Sequence, residues 1–460
     1  MRKIYKASPR QVEDWYYNYK LQADQVPHLM QFSTEIPDLD LCAFQSAYSF
    51  LILGHESLRS NFKNVNGEII VEVRDYCPTR FSIVHVDGDD EEQQIRLLQQ
   101  KRHMRNLIDS PLIQAVILKK ANGYKELIII IHHIICDHAS LHIIRSELLK
   151  LYQSDMTKIE GRIPASYLQL GEYFKQFEVR FPDYENQTFK YWQTRLEDPI
   201  WHADFDKYTD YYNQNHNLAV EAEAKYLNWR TVSEQQIIDH PDGEIIHLFL
   251  SEALHLKLTE FQKKIKASNY HILMACFGLL HFKFTGTQVH LIQSHFSNRD
   301  HPASQNVIGN LLGKLLLLNK VERSQTLLDY VYSCSASFFD SIEKQVFHSE
   351  KYRPFLINTR GALFINYISQ QMGSHRVAKI LKPFQLKDIK VESPFVCVIK
   401  EFTNTISFEW SFNKLFLQTN VVEYFAHQYF EMLNFMVENP DFVIGSLITN
   451  IEENHEYIKL

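Results

Sequence analysis

Glycine and proline are scarce in this sequence. Fourteen of each in 460 residues is about 3%, below the roughly 7% and 5% of average usage, which argues against low-complexity linkers and disordered tails. Long apolar runs are missing as well. The most apolar stretches, 127–131 and around 311–318, fall far short of the roughly 20 residues that span a bilayer. The opening MRKIYKASPRQVEDW has no apolar signal-peptide core. Nor is there a basic block: 48 Lys and Arg against 55 Asp and Glu leave a formal net charge of −7. Nucleic acid and membrane surfaces are therefore disfavoured as partners. Cys42, Cys77, Cys136, Cys276, Cys334 and Cys397 form no C-x-x-C pair. That disfavours a disulfide framework or a zinc site and leaves buried thiols in a reducing, cytoplasmic setting as the expectation.

What is present reads as an ordinary globular chain, 45% hydrophobic and 22% charged, long enough for two domains. Apolar spacing predicts a helix beginning in 38–62, short strands in GEIIVEVRD and RFSIVHV, and a charged helix in DDEEQQIRLLQQKRHMRN. PLIQAVILKK and KELIIIIHH, joined by ANGY, read as paired strands. The second is continuously apolar, as a strand covered on both faces would be. Helical spacing follows from about Ala139, then in 167–179 and 184–196, while 199–243 has no assignable period. Beyond it come the strand EIIHLFL, helices near 254–266 and 271–284, the strand VHLIQSHF, the alternating strand TISFEWSFN and a last helix over 421–437. Strands and helices recur in similar order in the two halves, which points to two α/β lobes meeting near 175–185.

The stretch LIIIIHHIICDHAS, residues 127–140, holds the candidate chemistry. Neighbouring side chains on a strand face opposite ways, so His132 and His133 cannot both address one site. One should pack inward and the other stand open at the strand end. A metal held by His132, His133, Asp137 and His138 would have to bend that geometry, and no two of those histidines stand four apart as on a zinc-binding helix. Asp137, just ahead of a helix, has the position of an N-cap. An imidazole and a carboxylate on one loop between strand and helix are nevertheless what α/β folds use for proton chemistry. Ser140 and Cys136 lie close by, but Cys136 has no basic neighbour to lower its pKa.

HHIICDH resembles the H-H-x-x-x-D-G motif of nonribosomal peptide synthetase condensation domains, which belong to the chloramphenicol-acetyltransferase-like superfamily. Other segments agree in order. SPRQVEDW (8–15) is similar to the family's S-x-x-Q-x-x-x-W opening, and HESLRSNF (55–62) to its R-H-E-x-L-R-T-x-F segment. FKFTGTQVHLIQSHFSNR (282–299) resembles the helix, T-G, strand and terminal arginine of the second lobe. IGNLLGKLLL (308–317) is similar to I-G-x-F-x-N-T, and ALFINYIS (362–369) to the strand carrying F-N-Y.

The resemblance implies two such lobes in a V, 1–178 carrying the histidine motif and 179–460, with a tunnel between them. Carrier proteins would deliver phosphopantetheine-bound substrates from either end, with no bound cofactor and no metal. His133 would assist attack by an amine on the donor thioester and accept its proton. Asp137 would pair with an arginine of the other lobe, by position Arg299. His132 and Arg59 are counted with Arg299 as supporting residues. Two positions depart from the family pattern: His138 stands for the motif glycine, and Gly313 for the asparagine of I-G-x-F-x-N. Together with Ser140 they are expected at the tunnel.

With no adenylation signature and no carrier segment of the G-G-x-S type, the chain reads as a free-standing, monomeric condensation enzyme. It would form an amide, or less readily an ester, on a carrier-bound acceptor or a soluble small amine. Two rivals stand beside it: a coenzyme A-dependent acyltransferase of the same superfamily, and a catalytically silent module that recruits carrier proteins.

Overall fold

In the computed structural model the described residues are 3–20, 25–35, 39–86, 90–119, 125–154, 168–180, 183–196, 205–216, 242–299, 302–345, 363–369 and 394–447. The first half runs β1 (Lys3–Lys6), α1 (Pro9–Lys20), β2 (Leu29–Glu35), α2 (Leu41–Gly54), β3 (Ser60–Val65), β4 (Glu68–Val73), β5 (Val84–Val86), α3 (Asp90–His103), β6 (Ile113–Lys119), β7 (Lys125–His132) and α4 (His138–Gln153). Three helices follow, α5 (Leu170–Arg180), α6 (Tyr184–Arg195) and α7 (Phe205–Asn215). Then come β8 (Gly243–Phe249), α8 (Glu252–Ile265), α9 (Asn269–Thr285), β9 (Val289–Phe296), β10 (Gly313–Lys320) and α10 (Leu327–Ile342). The described part closes with β11 (Leu363–Ser369), β12 (Phe395–Glu401), β13 (Ile406–Asn413) and α11 (Thr419–Glu438).

This is a mixed α/β fold. Its sheets are ordered β1-β4-β3, β2-β7-β6-β5 and β10-β9-β11-β12-β13-β8. The greasy strand β7 is central in the second of these, antiparallel to β2 with Leu29 opposite His132, and to β6 with Ile113 opposite Ile131. Leu127, Ile129 and Ile131 face a core shared with Phe44, Tyr48 and Leu51 of α2 and Ile144 and Leu148 of α4. Ile128 and Ile130 face the other way, onto Val86, Leu97, Met104, Val116 and Leu118. The strand is covered on both faces, as its unbroken apolar run requires. Each such residue buried is worth about 1.5–3 kcal/mol of transfer free energy.

The larger sheet is mixed: β11 runs parallel to β12 and β9, and the other pairings are antiparallel. In β13, Ile406, Phe408, Trp410 and Phe412 are fully buried by their period of two, packing with α9 and α11. Two details differ from the sequence expectation. RFSIVHV yields a strand only over Val84–Val86, because Pro78 starts a 3-10 turn, Pro78–Phe81, that holds Phe81 in the core. The unassigned 199–243 stretch contains α7, whose Tyr208 and Tyr211 join the larger core; residues 217–241 lie outside the described ones.

What positions the site is a crossing of the two halves. The segment after β9 reaches back so that Ile308 is buried in the core around α2 and α4, and its carbonyl accepts from Ser57 Oγ at 2.6 Å. Leu170 of α5 seals the same segment against Val307 and Leu311. Gly309 allows this approach, since a Cβ there would lie 2.6 Å from Leu170 Cδ1. Among the described residues, no helix is long and apolar enough to cross a membrane.

Candidate active site

Strand β7 ends at His132, and the chain turns through a 3-10 segment, His133–Ile135, into α4. The turn breaks the strand's alternation at the point where the two imidazoles need different surroundings. His132 is 1% exposed. Its Nδ1 accepts from Ile134 N–H at 3.1 Å, so Nε2 carries the proton and donates to Asn18 Oδ1 at 3.3 Å. Burial pushes its pKa down to about 3. His132 is a neutral ring that fastens the turn.

His133 is held on several sides. Its N–H donates to His28 O at 2.9 Å, and its ring stacks on the His28 ring with centroids 4.2 Å apart at 19°. Nδ1 lies 2.8 Å from Asn310 Nδ2. Asn310 Nδ2 also donates to Asp14 Oδ2 at 2.7 Å, and Asn310 Oδ1 accepts from Leu312 N–H at 3.3 Å. Asp14 Oδ2 itself stands 3.8 Å from Nδ1, beyond hydrogen-bond reach, so the amide bridges carboxylate and ring. Burial pushes the Asp14 carboxyl up, but the opposing attractions, led by Arg10 3.2 Å away, hold it at about 2. His28 is itself exposed to solvent. Nε2 of His133 has no protein partner among the described residues and is not sealed from solvent.

Asp137 belongs to a closed cluster. One oxygen caps α4 through Ser140 N–H at 2.7 Å, which starts the helix at His138 rather than Ala139. Arg299 Nη2 approaches both carboxylate oxygens at 2.9 and 3.0 Å, and Leu311 N–H donates to Oδ2 at 3.1 Å. Arg299 Nη1 donates to the carbonyls of Ser304 and Val307 at 2.9 and 2.7 Å. Both charged side chains are 1% exposed. Here the expected arginine from the second half meets the motif aspartate across the crossing.

Several other candidates stand elsewhere than expected. Ser140 does not line an open passage: it is 0% exposed. Its Oγ accepts from Arg299 Nη2 at 2.8 Å and Gly309 N–H at 3.0 Å, and donates to Gly309 O at 2.8 Å. That leaves no lone pair or proton for a substrate. Gly313 is buried against Gln345, whose Oε1 sits 1.5 Å from where a Cβ would be. Gln345 and Asn298 join their amides there at 2.6 and 2.9 Å, and Asn298 Nδ2 donates to Leu311 O at 2.7 Å. The space a side chain at 313 would take is thus filled by the Gln345 amide. Arg59 donates to Arg74 O at 2.9 Å; among the described residues it makes no hydrogen bond or ion pair with His133, Asp137 or Arg299. Cys136 is 0% exposed, and burial, with Asp137, raises its thiol well above the ordinary range.

His138, partly exposed at the first turn of α4, faces His142, with Nε2 atoms 3.2 Å apart. The i, i+4 histidine pair that the four motif residues lack is formed here by His138 with the next histidine along α4. Burial and His142 push His138 down to about 4. Among the described residues, no cluster of three or more His, Cys, Asp or Glu could hold a metal ion.

Asp14, His28 and Asn310 were not singled out from the sequence. Asp14 lies inside SPRQVEDW and Asn310 inside IGNLLG, both quoted for their motif positions, yet at positions the motifs leave open. His28 carries no local signal.

The family model for the condensation domain matches residues 1–457. Gramicidin S synthase 2 of Brevibacillus brevis is 24% identical over 434 residues, covering 92% of this chain and 9% of that protein. Tyrocidine synthase 3 of Brevibacillus parabrevis is 21% identical over 410 residues, covering 87% and 6%. The chain therefore spans less than a tenth of the length of these relatives. Among solved structures, the condensation domain from monacolin K polyketide synthase matches with TM-score 0.72 at 12% identity over 96% of this chain and 99% of that one. The X-domain from teicoplanin biosynthesis matches with TM-score 0.68 at 15% identity over 95% and 96%. The fold, the crossing that joins Arg299 to Asp137 and the match along nearly the whole chain agree: this chain belongs to the condensation-domain family.

Proposed function

We propose that the chain forms amide bonds, transferring an acyl or peptidyl group from the phosphopantetheine thioester of a carrier protein to an amine. The observation that carries this reading is the setting of His133. Its ring is fixed by a stacked histidine, a backbone bond and an amide, while its Nε2 edge is left for an incoming group. An α-amino group has a pKa of about 8, so part of it is already neutral near pH 7 and a strong base is unnecessary. Holding amine and thioester carbonyl together beside His133 supplies most of the acceleration by proximity. In this reading residues 1–178 and 179–460 act as two lobes, with pantetheine arms entering between them toward His133. The Arg299–Asp137 pair pins the loop carrying His133 to the second lobe.

The test uses an acyl-loaded carrier protein, an amine and the whole chain, with the carrier's mass as readout and His133→Ala as control. Loss of acyl mass and appearance of amide, both abolished in the variant, support the proposal; transfer indifferent to the substitution overturns it. Equal transfer from an acyl-coenzyme A would reassign the donor. Stable carrier binding without transfer would identify a recruiting module, a reading that the His138 replacement of the motif glycine favours.

A further inference from the structure

Asn310 occupies a position that the family motif leaves open, and its side chain is the only described one that hydrogen-bonds both Asp14 and His133. Its orientation is determined. Asp14 is an ionised carboxylate and can only accept, so the amide must turn its NH2 group toward it. The opposite rotamer would set Oδ1 against a carboxylate oxygen at 2.7 Å and the NH2 against Leu312 N–H, two repulsive contacts in a fully buried position. With its NH2 so placed, Asn310 offers its second hydrogen to His133 Nδ1 at 2.8 Å. Nδ1 must then be the bare, accepting nitrogen of a neutral ring.

We infer that Asn310 is a positioning residue that keeps the proton of His133 on Nε2, so that His133 donates a hydrogen bond to the oxyanion of the adduct instead of taking a proton from the amine. The inference rests on the proposed condensation and reverses the direction of proton traffic that the family resemblance implies. The amine nitrogen adds to the thioester carbonyl carbon, and the π pair moves to oxygen, where Nε2–H meets it. Collapse restores the carbonyl and breaks the carbon–sulfur bond. The proton released from nitrogen ends on the departing sulfur, giving free thiol and amide with no net change at His133.

The site supports this direction in two further ways. The stacked His28 ring holds the plane of the imidazole, and the bond from His133 N–H to His28 O fixes the backbone that carries it. Protonating Nδ1 would set an N–H against the Asn310 NH2, two donors facing each other. The amide could relieve that only by turning its oxygen toward Asp14.

Nitrogen-15 NMR of the histidine-labelled whole chain, with His133 assigned by its loss in His133→Ala, reads the tautomer without any substrate. The wild type at a pH where the ring is neutral is expected to show Nε2 protonated and Nδ1 bare. Asn310→Asp puts an acceptor against Nδ1 and is expected to move a proton onto it; Asp14→Asn, which frees the amide to turn, gives a second route to the same change. A wild-type ring protonated at Nδ1, or one whose nitrogens ignore both substitutions, overturns the inference. Catalysis supplies an independent arm. His133→Gln keeps an N–H near the place of Nε2 but no base, and His133→Glu keeps a base but no N–H. The glutamine variant should transfer about tenfold faster or more, in line with the worth of one oxyanion donor, and the reverse order overturns the inference. If the wild type transfers nothing, the condensation reading fails while the tautomer is still decided by NMR.

Discussion

Two polar clusters touch at adjacent residues of one segment. Gly309 gives its backbone to the first, with Asp137, Ser140 and Arg299; Asn310 gives its side chain to the second, with Arg10, Asp14, His28 and His133. In the first cluster the carboxylate oxygens and the Ser140 hydroxyl are engaged by protein, and none of the three side chains is more than 3% exposed. In the second, Arg10 and Asn310 both donate to Asp14, and Asn310 donates on to a ring whose far nitrogen has no partner among the described residues. Burial alone does not separate structural from chemical groups here, since Asn310 is as buried as Ser140. What separates them is whether the unpartnered atom is sealed from solvent, as Arg299 Nε is, or open to it, as His133 Nε2 is.

The hardest blow to the open cluster is His133→Ala. It should slow acyl transfer by about 10²–10³ at a smaller stability cost, about 1–3 kcal/mol for the buried Asn310 hydrogen left without its acceptor. Steady-state transfer and a melting curve on one preparation check both halves. The hardest blow to the closed cluster is Arg299→Ala, with the opposite signature. Removing one partner leaves Asp137 charged and sealed, at a cost of about 3–5 kcal/mol, read by urea unfolding. Arg299→Met with Asp137→Leu should recover part of that loss by replacing the pair with apolar bulk. If the double variant were no more stable than Arg299→Ala, the cluster would owe its stability to something other than the buried pair.

The sequence was legible where the physics is local. The unbroken apolar run of β7 foretold a strand covered on both faces, and the alternation of TISFEWSFN foretold a half-buried one. The strand's period of two separated His132 from His133, and the acid ahead of α4 read as its cap. Asp137 meeting Arg299 was anticipated only through the family resemblance. The open cluster was not legible, because Asn310 stands 177 residues from His133 and 296 from Asp14, and no local pattern marks an amide that bridges them. Gln345 filling the space left by Gly313 is hidden in the same way: the side chain comes from another part of the chain, and a motif comparison registers only the glycine.

Acid should erode the surroundings of the open cluster in two stages. His132 sits near 3 in the folded chain against 6.5 for a free imidazole. The unfolded chain therefore takes up protons first, and the stability, complete above 6.5, is lost as pH falls toward 3. The loss at pH 5 from His132, 1% exposed, is on the order of 2 kcal/mol. Asp14, depressed from 3.8 to about 2, adds a second loss that begins only below about 4. Urea unfolding between pH 8 and pH 3 should show the first slope, and His132→Asn, which removes the titrating ring, should flatten part of it. An unchanged slope in that variant would mean that His132 is not held neutral.

The smallest effect is expected at the residue that departs most visibly from the motif. His138 bonds to neither cluster; its ring pairs with His142 one turn along α4. His138→Gly restores the family residue at the first helical position and should cost no more than about 0.5–1 kcal/mol, the conformational price of glycine in a helix. Transfer should keep its kcat, while KM for the acceptor changes a few-fold as an imidazole is withdrawn from beside the His133 loop. Acceptor titrations at saturating acyl-carrier separate the two constants. A kcat that collapses would place His138 among the groups that meet the reacting atoms, and the open chain of hydrogen bonds would then have a second imidazole at its end.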